Sequence, residues 1–134
     1  MPFMLHGTLV PPRHRVLVVD DEPLFARAVA RAMRHHADVV LEWTGAPALE
    51  RIAQGERFDL ILCDVALPGL NGAQFFERLR EIRSGVERRL VFVTGGGVAE
   101  IEAKLRQTGR PCLRKPITGV VLISLLDRRE AQSV

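Results

Sequence analysis

Arg15-Val16-Leu17-Val18-Val19-Asp20-Asp21-Glu22-Pro23 is the stretch that decides the fold. Its apolar part is short, continuous and rich in valine, the pattern of a strand buried on both faces of a sheet. Two aspartates end the run. Glu22-Pro23 then opens a helix in which Leu24, Phe25, Ala28, Val29, Ala32 and Met33 recur at intervals of three and four, with proline tolerated in the first turn. This helix ends near His36.

The same alternation repeats outward from this stretch. Residues 39–43 predict a second strand, Thr44-Gly45 a turn, and residues 46–54 a short helix closed by Gly55. Asp59-Leu60-Ile61-Leu62-Cys63-Asp64 is a third strand and, like the first, it ends at an acid. The turn formers Leu67-Pro68-Gly69-Leu70-Asn71-Gly72 lead into a helix reaching about residue 83, with Phe75, Leu79 and Ile82 on one stripe. Residues 90–94 predict a fourth strand, and residues 98–107, after three glycines, a short amphipathic helix. Residues 112–114 are a fifth strand, and a helix runs from residue 118 to about 128. Such alternation implies a doubly wound, flavodoxin-like α/β fold, (βα)5, with five parallel strands and helices on both faces. Residues 1–14 hold three prolines and no periodicity, which predicts a flexible leader or linker ahead of a domain at 15–134.

Composition bounds the function. A chain of 134 residues has room for one domain with one core, so any effect on another molecule passes through its surface. No apolar run approaches the roughly 20 residues that span a bilayer, and the start lacks the basic stretch of a secretion signal, which makes the cytoplasm the expected location. Cys63 and Cys112 sit far apart in separate strand patterns, without Cys-x-x-Cys spacing, and read as buried free thiols. The formal charge of +3 comes from arginines scattered among glutamates over every predicted helix, a solvated mixed surface with no nucleic-acid signature. His35 and His36 end a helix, where a cation favours the dipole, and His6 and His14 fall in the leader.

The chemistry collects at the carboxyl ends of the strands. In a doubly wound sheet these ends lie along one edge, where ligands bind, and Asp20, Asp21, Asp64, Thr94 and Lys115 each end or directly follow a predicted strand. Three packed carboxylates repel, so the group takes up a proton or a cation. Hard oxygen donors with nothing soft nearby favour Mg²⁺. A carboxylate beside Mg²⁺ and a lysine has what phosphoryl transfer needs, with Asp64 as nucleophile, Lys115 as a point charge and the Thr94 hydroxyl as a donor to a phosphate oxygen. Each residue also has a simpler use. Asp20 and Asp21 suit a helix N-cap and first turn, Asp64 a turn, Thr94 a strand end and Lys115 a solvated charge; their joint occurrence at one edge is what favours a site.

With their order and spacing, Val-Leu-Val-Val-Asp20-Asp21-Glu22-Pro23, Asp59-Leu-Ile-Leu-Cys-Asp64, Leu67-Pro68-Gly69, Val-Phe-Val-Thr94-Gly95-Gly96 and Leu-Arg-Lys115-Pro116 resemble the receiver domain of two-component response regulators. The resemblance runs from about Arg15 to Arg128. It implies that Asp64 accepts a phosphoryl group from a histidine kinase or histidine phosphotransfer protein. Asp20 and Asp21 would hold Mg²⁺ with Asp64 and the backbone carbonyl of Ala66, Lys115 would contact the phosphate, and Thr94 would move toward it. One position departs from the pattern. Where the family usually carries an aromatic residue, three positions before the lysine, this chain has Cys112, which cannot swing a large ring between solvent and core. The Gly-rich segment and Gly109-Arg110-Pro111 resemble receivers of hybrid histidine kinases.

The last helix carries Val120, Val121, Leu122, Ile123, Leu125 and Leu126, more apolar positions than one core-facing stripe uses, which suits either a broad buried face or a docking or homodimer surface. Cys112 also keeps open a second function, an interaction scaffold that signals without phosphorylation. An aspartyl-phosphate phosphatase is disfavoured, because Ala66 stands where such chemistry places an acid, and no enzymatic turnover is expected.

Overall fold

The valine-rich run around Leu17 becomes the middle of a sheet. A computed structural model describes residues 3–5, 8–10, 13–97 and 99–132. Residues 1, 2, 6, 7, 11, 12, 98, 133 and 134, and with them part of the expected leader and the expected helix start at Val98, lie outside the described residues.

In chain order the elements are β1 (Phe3–Leu5), β2 (Thr8–Val10), β3 (His14–Val19), α1 (Pro23–Met33), β4 (Ala37–Glu42), α2 (Gly45–Ala53), β5 (Leu60–Asp64), α3 (Gly72–Ile82), a 3₁₀ turn (Val86–Arg89), β6 (Leu90–Thr94), α4 (Ala99–Arg106), β7 (Cys112–Arg114) and α5 (Gly119–Gln132). Five of the strands form one parallel sheet in the order β4-β3-β5-β6-β7. The doubly wound fold expected from the alternation is therefore present. The Lys115–Pro116 peptide bond is cis.

Both faces of the central strands are covered, which is why their sequences are apolar without alternation. Leu17, Val19, Ile61, Cys63, Leu90 and Phe92 face the side packed by α2, α3 and α4, through Ile52, Phe75, Leu79 and Leu105. Val16, Val18, Leu60, Leu62 and Val91 face the other side, under Ala26, Val29 and Met33 of α1 and Leu122, Leu125 and Leu126 of α5. The step from β3 outward to β4 and the steps back through β5, β6 and β7 run in opposite directions, so right-handed crossovers put α1 on one face and α2, α3 and α4 on the other. Asn71 opens α3 with a capping box: its side chain accepts from Gln74 N–H while the Gln74 side chain accepts from Asn71 N–H.

Several expectations shift. Residues 3–5 and 8–10, expected to be irregular, pair as an antiparallel hairpin, and His14 belongs to β3 rather than to the leader. Two apolar triplets two residues apart have hairpin spacing, a signal the nearby prolines obscured. The core stripe of α1 is Ala26, Val29 and Met33, whereas Leu24 is 82% exposed and Ala28 and Ala32 face solvent. Many alanines in that helix left its periodicity degenerate. Ile82 likewise lies at the edge of the α3 stripe, while Phe76 is buried. The 3₁₀ turn before β6 was not anticipated. Among the described residues no helix is long and apolar enough to cross a membrane.

At Gly72 the start of α3 leaves no room for a side chain against the sheet. A Cβ there would lie 3.0 Å from the Phe92 ring and 3.2 Å from the Val65 backbone, neither of which can swing aside. Gly72→Ala is expected to cost about 1–3 kcal/mol in urea unfolding. Gly95→Ala, where added atoms meet nothing within 4 Å and φ is not positive, should change stability by less than about 0.5 kcal/mol.

Candidate functional site

Strand register assembles the site. Val19 of β3 lies opposite Cys63 of β5, so the residues that follow, Asp20 and Asp64, sit side by side at the sheet edge. Asp64 lies opposite Val93, one short of Thr94, and Thr94 lies opposite Arg114, one short of Lys115. Lys115 N–H donates to the Thr94 carbonyl at 2.8 Å, carrying the pairing one residue further. The order in which strands are added to the parallel sheet reverses between β3 and β5, the switch point at which open α/β sheets bind ligands.

Asp20 is fully buried, Asp64 and Thr94 nearly so, and Asp21 is exposed. One carboxylate oxygen from each of Asp20, Asp21 and Asp64 lies within 4.8 Å of the others. Lys115 Nζ stands 2.8 Å from Asp20 Oδ2, 3.0 Å from Glu22 Oε1 and 3.5 Å from Asp64 Oδ2, and 4.4 Å from the centre of the Phe25 ring. Backbone amides fix the acids: Glu22 N–H donates to Asp20 Oδ1 at 2.8 Å, and Ala66 N–H donates to Asp64 Oδ1 at 3.1 Å. Gly96 N–H donates to Thr94 Oγ1 at 3.0 Å, which leaves the Thr94 hydroxyl hydrogen free to donate.

The Lys115 contact with Asp20 Oδ2 is short but poorly directed. It acts as an ion pair, and this buried oxygen has no hydrogen-bond partner among the described residues. Burial raises the Asp20 pKa above the ordinary carboxylate value, against the Lys115 contact and the Glu22 amide, and the neighbouring Asp64 charge raises it further. Burial alone would lower the Lys115 pKa, but its contacts with Asp20 and Glu22 and the charges of Asp20 and Asp64 outweigh it, and the pKa rises. An ammonium held firmly charged thus faces a carboxylate that is charged at a cost. A buried oxygen without a hydrogen-bond donor, in a set of hard oxygen donors, fits a small divalent cation. The buried Cys63 is no competing ligand, since burial and then the Asp64 and Asp20 charges push its thiol pKa well up.

The structure therefore brings Asp20, Asp21, Asp64 and Lys115 together, puts Thr94 on the adjoining strand end, and bonds Ala66 to Asp64 through its amide. Sequence reasoning missed Glu22 and Phe25, both on Lys115. Their signal was present in the Asp-Asp-Glu-Pro run, whose third acid was read only as a helix opener. Cys112, expected to be buried, is exposed. Strand β7 is the sheet edge, and α4 beside it is eight residues long with only Leu105 buried, too little cover for both faces. Cys112 lines a cleft of about 350 Å³ with Thr94, Arg106 and Arg110.

Comparison with known proteins agrees with this geometry. Residues 16–127 match the model of the response regulator receiver domain. The chain is 36% identical over 81 residues to response regulator ArlR of Staphylococcus saprophyticus, covering 60% of this chain and 35% of that protein. It is 32% identical over 115 residues to sensor histidine kinase GacS of Pseudomonas protegens, covering 83% of this chain and 12% of that protein. The chain thus spans about a third or less of the length of these relatives. Among solved structures, the receiver domain of sensor histidine kinase PA1611 from Pseudomonas aeruginosa PAO1, which has a magnesium ion coordinated in its active-site cleft, superposes with a TM-score of 0.76 at 24% identity, covering 90% of this chain and 99% of that one.

Because the Asp20 pKa is raised in the folded state, ionised Asp20 weakens the fold at neutral pH. Asp20→Asn is expected to stabilise the metal-free domain, raising its urea midpoint at neutral pH with chelator present. The advantage should shrink as pH falls through the Asp20 pKa, because the wild-type carboxyl then takes up a proton. A loss of stability at neutral pH would instead show that pairing with Lys115 dominates.

Proposed function

The chain belongs to the response regulator receiver domain family, and from this premise we propose that it is a phosphoacceptor switch of two-component signalling. Its donor would be a phosphohistidine on a histidine kinase or histidine phosphotransfer protein, met in the cytoplasm. The observation that carries this reading is the Asp64 carboxylate at the end of β5, with the Lys115 ammonium 3.5 Å from one oxygen and two further carboxylates within 4.8 Å.

The chemistry follows from that placement. A carboxylate oxygen of Asp64 attacks phosphorus in line, the phosphorus–nitrogen bond to histidine breaks, and an acyl phosphate remains on Asp64. Asp20 and Asp21, with Asp64 and the Ala66 carbonyl, would hold Mg²⁺, which when bound supplies positive charge to the phosphoryl oxygens and relieves the repulsion among the acids. Lys115 would exchange part of its hold on Asp20 and Glu22 for a phosphoryl oxygen, and the Thr94 hydroxyl would donate to another. Ala66 N–H keeps Asp64 oriented. Water attack on the acyl phosphate later restores the carboxylate.

Readout is the step in which this chain departs from its family. With Cys112 at the usual aromatic position, movement of Thr94 has no ring to pull, and α5, where Val120 is 79% and Val121 39% exposed, is the proposed contact for a downstream protein or a second copy. The same Cys112 supports a second reading, a scaffold with a receiver fold whose partner binding ignores phosphorylation. Partner affinity for wild type and Asp64→Asn, with and without phosphodonor, separates the two: equal values favour the scaffold.

Acetyl phosphate with Mg²⁺ is expected to add one phosphoryl group to the wild type, seen by intact-mass measurement, and none to Asp64→Asn; an unmodified wild type would refute the phosphoacceptor role. Mg²⁺ alone at ten times its dissociation constant should stabilise the fold by about 1.4 kcal/mol. That gain should vanish in Asp20→Asn/Asp21→Asn.

A further inference from the structure

A cleft of about 740 Å³ opens at the amino ends of β3 and β5, the edge of the sheet opposite Asp64. It contains none of Asp20, Asp21 and Asp64. Its floor is apolar, made by the buried Ile52, Phe58, Ile61 and Val86. Its walls carry five arginines, at positions 13, 15, 57, 83 and 89, against two acids, Glu56 and Asp59, a net of +3. This equals the formal charge of the whole chain.

The two acids are already engaged. Asp59 Oδ2 accepts from Arg15 N–H at 2.7 Å, and Glu56 is shared by Arg51 and Arg15 at 3.1 to 3.3 Å. Arg13 also has work, donating to the Arg34 and Ala37 carbonyls at 2.7 Å, where it satisfies groups at the end of α1 and the start of β4. Arg57, Arg83 and Arg89 differ. Their side chains make no hydrogen bond, ion pair or ring contact among the described residues, although Arg83 and Arg89 are half-buried. Arg83, the C-cap of α3, also gains from the negative end of that helix, but none of the three bonds a helix carbonyl as Arg13 does.

We propose that this cleft binds a small phosphate-bearing anion of nucleotide size. A guanidinium presents paired donors that match phosphate oxygens, and three unneutralised ones facing one concavity are arranged for a multiply charged ligand. The cavity lies in the size range of small-molecule sites, and the apolar floor suits the uncharged part of the ligand. The acidic Asp64 edge has the opposite preference when no cation is present, so the two sites separate by charge.

The test is calorimetric titration of the full chain with ATP and with pyrophosphate, in chelator, so that no divalent cation recruits phosphate to the Asp64 edge. Saturable binding is expected, weakening as salt rises. Arg83→Gln/Arg89→Gln should weaken it about tenfold or more, and the exposed Arg57→Gln alone by a smaller factor. Asp64→Asn and Arg27→Gln should leave it unchanged. ATP tighter than pyrophosphate would show that the floor takes the base, and equal affinity that the phosphates alone are read; either supports the site. Absence of binding, equal binding by a double variant whose thermal melt shows it folded, or tighter binding of an oligoglutamate peptide would overturn the proposal.

Discussion

One ammonium sits among four carboxylates. Lys115 Nζ touches Asp20, Glu22 and Asp64, and Asp21 shares the same 4.8 Å cluster with Asp20 and Asp64. At an effective dielectric of about 20, two carboxylates at such a separation repel by about 3 kcal/mol, comparable with what the ammonium gains from one partner. A single positive charge therefore cannot balance the group, and the Asp20 pKa, raised chiefly by burial, is pushed further up by the Asp64 charge. The cluster is held together by the sheet rather than by its own attraction. Under the proposed function, positive charge brought by a cation would complete it, and a phosphoryl group arriving with that cation would find Lys115 already in place.

The hydrophobic layers make this possible. Continuous burial of β3, β5 and β6 on both faces fixes the register, and the register alone sets Asp20 beside Asp64 and Lys115 one step past Thr94. A one-residue slip of β5 would exchange Ile61 and Cys63 with Leu60 and Leu62 and bury the wrong set against each helix layer. Core packing on both sides thus enforces the geometry of a charged site that destabilises itself. The lysine contact to Glu22 then links the start of α1 to the chain 93 residues later.

Much of this was legible in the sequence because it follows from short, strong patterns. Five apolar runs fix five strands, and the residue ending or following a buried strand is compelled to the sheet edge, so Asp20, Asp64, Thr94 and Lys115 could be placed without coordinates. Weak or degenerate patterns were not legible. The alanine-rich α1 admits several stripes, and the structure chooses Ala26, Val29 and Met33 by what α1 meets on the sheet. Cys112 sits in an apolar run, yet its exposure depends on how little α4 covers an edge strand, which is a property of two elements together. Glu22 escaped notice because a helix-opening acid and a lysine partner look alike until α1 and β7 are brought together.

Charge was misread for the same reason in both directions. Arginines spread along the sequence look like a mixed, solvated surface, and on the helices that reading holds. The topology, however, gathers acids at the carboxyl edge of β3 and β5 and arginines at the amino edge of the same strands, so that β5 runs from a basic cleft beside Asp59 to an acidic one at Asp64. A net charge of +3 is the residue of two opposed local fields, not a uniform property. Each edge therefore selects its own ligand charge. In the proposed function the acidic edge would need a cation before it could hold a phosphoryl group, whereas the basic edge holds its positive charge at all times, because guanidinium groups do not lose their protons in proteins.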